Sequence, residues 1–129
     1  MPAHPTEAPL LPHWRALLEA RWQDRLQQLI KLSLACHDAA AHAGARPGDH
    51  AAAWSLRETL RRTVAARRGL ADVEEALARL TAGHFGRCEH CHAAIPASRL
   101  ALAPEMRYCL ACSAADAGHG ARPAGGHGV

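Results

Sequence analysis

HFGRCEHCHAAIPASRLALAPEMRYCLACSA, residues 84–114, holds two C-x-x-C pairs, Cys88/Cys91 and Cys109/Cys112, separated by seventeen residues. That falls inside the C-x2-C-x15–20-C-x2-C pattern of four-thiolate zinc sites. Two residues between thiols let both sulfurs of a tight turn reach one ion at about 2.3 Å, and a closed tetrahedral site needs two such turns joined by a loop. Four thiolates leave zinc no open position for water, so one structural Zn2+ is expected, with Cys88, Cys91, Cys109 and Cys112 as ligands. An iron–sulfur cluster accepts the same donors. A redox dithiol is the third possibility, although no βαβ pattern surrounds the pairs. His84, His90 and His92 are read as solvated. The fifth cysteine, Cys36, is read as a small packing residue on a helix.

Working outward, Gly83 stands as a helix C-cap in front of the cysteines. Upstream, residues 50–82 contain no glycine–proline break, and Leu56, Leu60, Val64, Leu70, Val73, Leu77 and Leu80 form an apolar stripe at helical spacing. Gly44-Ala45-Arg46-Pro47-Gly48-Asp49 marks a turn ending on an N-cap type. From Pro12 to about Ala43, Trp14, Leu18, Trp22, Leu26, Leu29, Ser33, Cys36 and Ala40 recur every three or four residues. Two such helices joined by a short turn pack antiparallel. The fold class is therefore all-α: a long antiparallel helical hairpin, or coiled coil, with a small C-terminal four-cysteine zinc finger. Its boundaries are a flexible lead-in at 1–11, the hairpin at 12–83 with its tip at 44–50, the finger at 84–114, and a disordered Gly/Ala/His tail at 115–129. Arg67 interrupts the second stripe and alanines thin the first, so a weak seam and a frayed tip are expected.

Composition agrees with this plan. The chain has 129 residues, 49% of them apolar, yet only five aromatics (Trp14, Trp22, Trp54, Phe85, Tyr108) to fill a core. A thick globular core is excluded. Net charge is +3, too mild to demand a polyelectrolyte partner. Residues 88–112 offer Arg99 and Arg107 against Glu89 and Glu105 and a single aromatic, so direct nucleic-acid binding by the finger is not expected, though it stands as the alternative function. No carboxylate pair, triad or open metal position can be assembled without the four thiols, so the chain reads as a binding module and not an enzyme. No apolar run of membrane length is seen, and reduced thiols suit a cytoplasmic protein, expected to be a monomer.

The run Ala76-Leu77-Ala78-Arg79-Leu80-Thr81-Ala82-Gly83-His84-Phe85-Gly86-Arg87-Cys88-Glu89-His90-Cys91, followed by Ile95-Pro96, Arg99-Leu100, Pro104 and Tyr108-Cys109-Leu110-Ala111-Cys112, resembles the DksA/TraR family of bacterial zinc-finger transcription regulators. With the hairpin included, the resemblance spans about residues 13–112. It implies binding to RNA polymerase, with the hairpin inserted in the secondary channel and no prior contact with DNA. Family members carry two aspartates at the hairpin tip and an alanine two positions after the second. Asp49 and Ala51 match the second aspartate and the alanine, and become the candidate polymerase contacts, while Arg46 replaces the first aspartate. Asp49 is also well placed to cap the second helix. The basic positions that grip the alarmone ppGpp in the family's type member align with Asp72, Ala103 and Ser113, which implies a ppGpp-independent regulator. Longer members continue into a C-terminal helix, where this chain runs into glycine-rich sequence. A redox-responsive version of the regulator, with oxidised thiols releasing zinc, is a further alternative.

Overall fold

A computed structural model describes the backbone of residues 7–120 and the side chains of residues 11–115. The chain forms α1 (Glu7–Ala45), α2 (His50–Ala82), α3 (Ala97–Leu102) and α4 (Leu110–Gly120). Helices α1 and α2 make a hairpin; at 1.5 Å per residue their 39 and 33 residues extend about 58 and 50 Å. No strand occurs among the described residues, only an isolated bridge between Arg87 and Ala94.

Both ends of the hairpin turn follow from local chemistry. Gly48 takes φ 88°, open to glycine without a Cβ clash, and lets the chain reverse. Asp49, in extended geometry, accepts the Ala52 N–H at 3.1 Å and so starts α2. At the other end Gly83 adopts φ 84°; its N–H reaches Leu80 O, and the His84 N–H returns to Arg79 O at 2.9 Å, the paired bonds of a Schellman cap.

Two boundaries differ from the sequence reading. Helix α1 begins at Glu7, so residues 7–11 are helical and not part of a loose lead-in, and Pro12 lies inside the helix. The missing proline N–H removes one bond to the turn in front, at an exposed end where a single turn is at stake. Helix α4 continues to Gly120, so residues 115–120 extend the finger's last helix where a tail was expected. Ala115 and Ala117 favour that extension and Gly118 and Gly120 oppose it, and the helix is already started upstream at the Cys109 cap. The expectations for residues 1–6 and 121–129 lie outside the described residues.

Burial is concentrated at the base. Trp14, Leu18, Val73, Ala76 and Leu80 from the hairpin meet Ile95 and Leu100 from the finger in one cluster. Phe85 packs against it, its ring 5.7 Å from that of Trp14. In the distal half of α2 the seam is made by Ala52, Thr63 and Ala66. Leu60 and Val64, read as seam residues, are 46% and 54% exposed. They lie one step around the helix from Thr63 and Ala66, whose small side chains allow close approach of the helices. Thr63 satisfies its hydroxyl on Thr59 O at 2.8 Å.

Candidate metal centre and hairpin tip

The segment after α2 is drawn into a tight loop by Ile95 N–H to Gly86 O at 2.7 Å and Cys88 N–H to Ala93 O at 2.8 Å. The loop turns at Cys88–Cys91, where the Cys91 N–H points at Cys88 Sγ (3.5 Å), and closes with His92 at φ 66°. The second pair repeats this device at a helix start. Cys109 stands just before α4, its Sγ accepting the Cys112 N–H at 3.5 Å and its carbonyl accepting the Ser113 N–H at 2.8 Å. The sulfur thus acts as the helix cap, and the positive end of the helix faces the thiols.

All four sulfurs lie within 4.8 Å of one another, and Cys91 Sγ and Cys109 Sγ are 3.7 Å apart. Tetrahedral zinc with Zn–S near 2.3 Å places its sulfurs about 3.8 Å apart, so the donor set has the right size. Its electrostatics point the same way. Burial works to raise the Cys88 thiol, but the backbone N–H groups of Cys91, Cys109 and His90 outweigh it and hold it at about 5. Burial first, and then the neighbouring thiols, push Cys112 up to about 12. The surroundings thus favour the thiolate at Cys88 and the thiol at Cys112, a conflict that a divalent cation among the sulfurs would resolve. The cluster is a site for one structural zinc. His84, His90 and His92 are all exposed and stand outside the sulfur cluster.

A carboxylate that the sequence did not single out fastens this site to the hairpin. Glu105, between α3 and α4, receives both arms of the Arg21 guanidinium at 2.7 and 2.6 Å and Arg25 at 3.1 Å. Burial acts to raise Glu105, yet the hydrogen bond from Arg21 and the charges of Arg21 and Arg25 hold it below its ordinary 4.5. Arg25 reaches it by crossing Gly69, where a Cβ would meet the guanidinium at 3.4 Å. On the other side Arg107 bonds Asp72 at 3.2 Å and pairs with Glu75, while Arg79 meets Glu89 at 3.1 Å. Eighty-four residues separate Arg21 from Glu105, and helical periodicity carries no signal for such a pair.

The remaining candidates sit at the far end. Asp49 and Ala51 lie at the start of α2, about 50 Å along the helix from the finger. Arg46, His50 and Ala51 are exposed, and Asp49 is half-buried with one carboxylate oxygen engaged in its cap. Cys36 is half-buried and lines a groove between the helices. Among the described residues no helix is long and apolar enough to cross a membrane.

Residues 83–115 match the family described as the prokaryotic dksA/traR C4-type zinc finger. No curated protein matches the sequence. Among solved structures, transcription factor DksA2 from Pseudomonas aeruginosa superposes with a TM-score of 0.73 at 21% identity, covering 90% of this chain and 89% of that one. The likeness to DksA2 extends over hairpin and finger alike, and the family match falls on the segment that brings the four thiols together. Residues 83–115 are thus a finger of the dksA/traR C4 type, carried on a hairpin whose fold is that of DksA2.

Proposed function

We propose that the protein regulates transcription by binding RNA polymerase as a monomer in the cytoplasm, inserting the hairpin tip into the secondary channel. The observation that carries this reading is the length of the hairpin beyond the core at its base: two continuous helices project from that core and end in a turn exposed at 46–48. Cys88, Cys91, Cys109 and Cys112 are the zinc ligands in this reading. A bound zinc would tie α4 to the Cys88 loop through these four thiols, and Glu105 links the finger to α1 through Arg21 and Arg25. Chemistry at the metal forms no part of this role.

At the tip, Asp49 and Ala51 are the polymerase contacts. Asp49 Oδ1 is held by the Ala52 N–H, which orients the carboxylate and leaves its second oxygen to a partner. Arg46 adds a positive charge where the resemblance calls for an acid, so the effect of this tip on the polymerase active site differs from that of an all-acidic one. Alarmone independence is supported by Asp72, whose carboxylate is already bonded to Arg107 and presents no positive charge to a phosphate.

Retention of the purified protein by bacterial core RNA polymerase, displaced by a second secondary-channel factor, is the expected result. Binding without competition sinks the channel assignment. An unchanged affinity on addition of ppGpp is expected as well.

A further inference from the structure

The distal half of the hairpin carries a surface that neither the zinc nor the tip uses. Residues 31–68 hold seven basic and three acidic residues, a net charge of +4 in a chain whose total is +3. Of the three acids, Asp49 caps α2 and Glu58 pairs with Arg61, which leaves Asp38. Arg57, Arg67 and Arg68 enter no ion pair among the described residues.

These arginines frame an apolar groove. Arg57, Leu60, Val64 and Arg67/Arg68 follow one another at steps of three and four residues, which brings them to one face of α2. Leu60 and Val64 are about half exposed there. With Cys36 and Ala40 of α1 they line a groove of about 350 Å³, and Arg67 forms part of its wall. On α1, Ile30 and Leu34 are 50% and 63% exposed. From Arg57 to Arg68 the face spans about 16 Å, close to three helical turns.

We infer that this groove docks an acidic amphipathic segment of a protein partner, about three turns of helix, whose apolar side chains seat on Leu60 and Val64 and whose carboxylates meet Arg57, Arg67 and Arg68. Charge selects this occupant. A second copy of the chain would set arginine rows against each other, and a nucleic-acid backbone would pair with the arginines but leave the apolar groove wet. An apolar floor with a cationic rim fits a helix that is apolar on one face and acidic on its edges. The inference rests on the polymerase reading, since it assigns the segment to the wall of the channel that receives the hairpin.

The test measures the affinity of labelled, zinc-loaded protein for purified bacterial core RNA polymerase by anisotropy, across a salt series. Arg57→Glu/Arg68→Glu is expected to weaken binding more than tenfold and to flatten the salt dependence. Val64→Ser is expected to weaken it several-fold with the salt dependence intact. Arg87→Glu, an exposed change on the finger, is expected to bind as the parent does. Each side chain is exposed, so melting temperature and zinc content should hold, and they are measured to show it. Equal affinity of the double reversal and the parent overturns the inference while leaving the polymerase reading in place. Failure of the parent itself to bind overturns both. A labelled single-stranded RNA that binds the free protein, and loses affinity in the double reversal while polymerase binding persists, identifies a nucleic-acid surface and also overturns the inference.

Discussion

The two ends of the hairpin solve opposite problems with the same secondary structure. At the base, two helices and the finger share a core of Trp14, Leu18, Val73, Ala76, Leu80, Ile95 and Leu100, and the charges close on one another through Glu105, Arg79 and Arg107. In the distal half, small seam residues replace large ones, leucine and valine turn outward, and Arg57, Arg67 and Arg68 enter no ion pair among the described residues. A region that satisfies its own apolar and charged groups is built for rigidity. One that leaves both kinds of group open is built for a partner.

The contrast is broken most completely by removing the metal. Four-thiolate zinc supplies about 10 kcal/mol or more of folding free energy in small fingers, so chelation or Cys112→Ser should unfold residues 84–114 and uncover Trp14. Loss of one zinc per chain in a colorimetric assay, together with a red shift of tryptophan emission, is the expected signature; a chelated protein with unchanged emission would show that the base core stands without its joint.

Next in size is a matched pair of truncations. Leu18→Ala, at a fully buried position, should cost about 3 kcal/mol, whereas Leu60→Ala should stay within about 1 kcal/mol. Denaturant melts of the two variants measure the difference, and equal losses would erase the distinction between base and arm.

Glu105→Gln removes the charge and one of the two acceptor oxygens of a bidentate, partly buried pair and should cost about 2 kcal/mol. The same interaction has a pH signature. Because the folded protein holds Glu105 below its ordinary 4.5, its contribution is complete above that value and is lost as pH falls through the lower folded pKa. The parent should therefore lose its advantage over the Gln variant on acidification, measured as converging melting temperatures below pH 4.

The smallest effect belongs to the arm. Asp49→Ala deletes the cap of α2 and should cost about 1 kcal/mol, while Asp49→Ser should recover most of it. Polymerase affinity separates the two roles of this residue. If Ser restores stability without restoring binding, the carboxylate acts on the partner as well as on its own helix.

Much of this architecture was legible in the chain. The spacing of Cys88, Cys91, Cys109 and Cys112 announces a closed four-thiol site because ion size and a tight turn together permit few alternatives. Gly48, Asp49 and Gly83 mark the ends of α2, because positive φ and an orphan N–H each demand a particular residue type. Local chemistry of this kind needs no knowledge of what lies across space. The start of α1 at Glu7 and the run of α4 to Gly120 were less legible, since one proline and an alanine–glycine stretch tilt the helical balance by amounts that a neighbouring turn can reverse.

Tertiary structure alone decided the rest. Leu60 and Val64 have the same helical spacing as the buried leucines, and only the crossing of α1 over Thr63 and Ala66 turned them outward. Arg21 and Glu105 are ordinary charged residues until the finger folds back onto the hairpin and brings them within 2.6 Å. The sequence by itself determined the two hairpin helices, the Asp49 and Gly83 caps of α2 and the set of four thiols, because those depend on residues close along the chain. Which apolar residues are covered, and which charges find a partner, depends on surfaces that meet only when the hairpin closes.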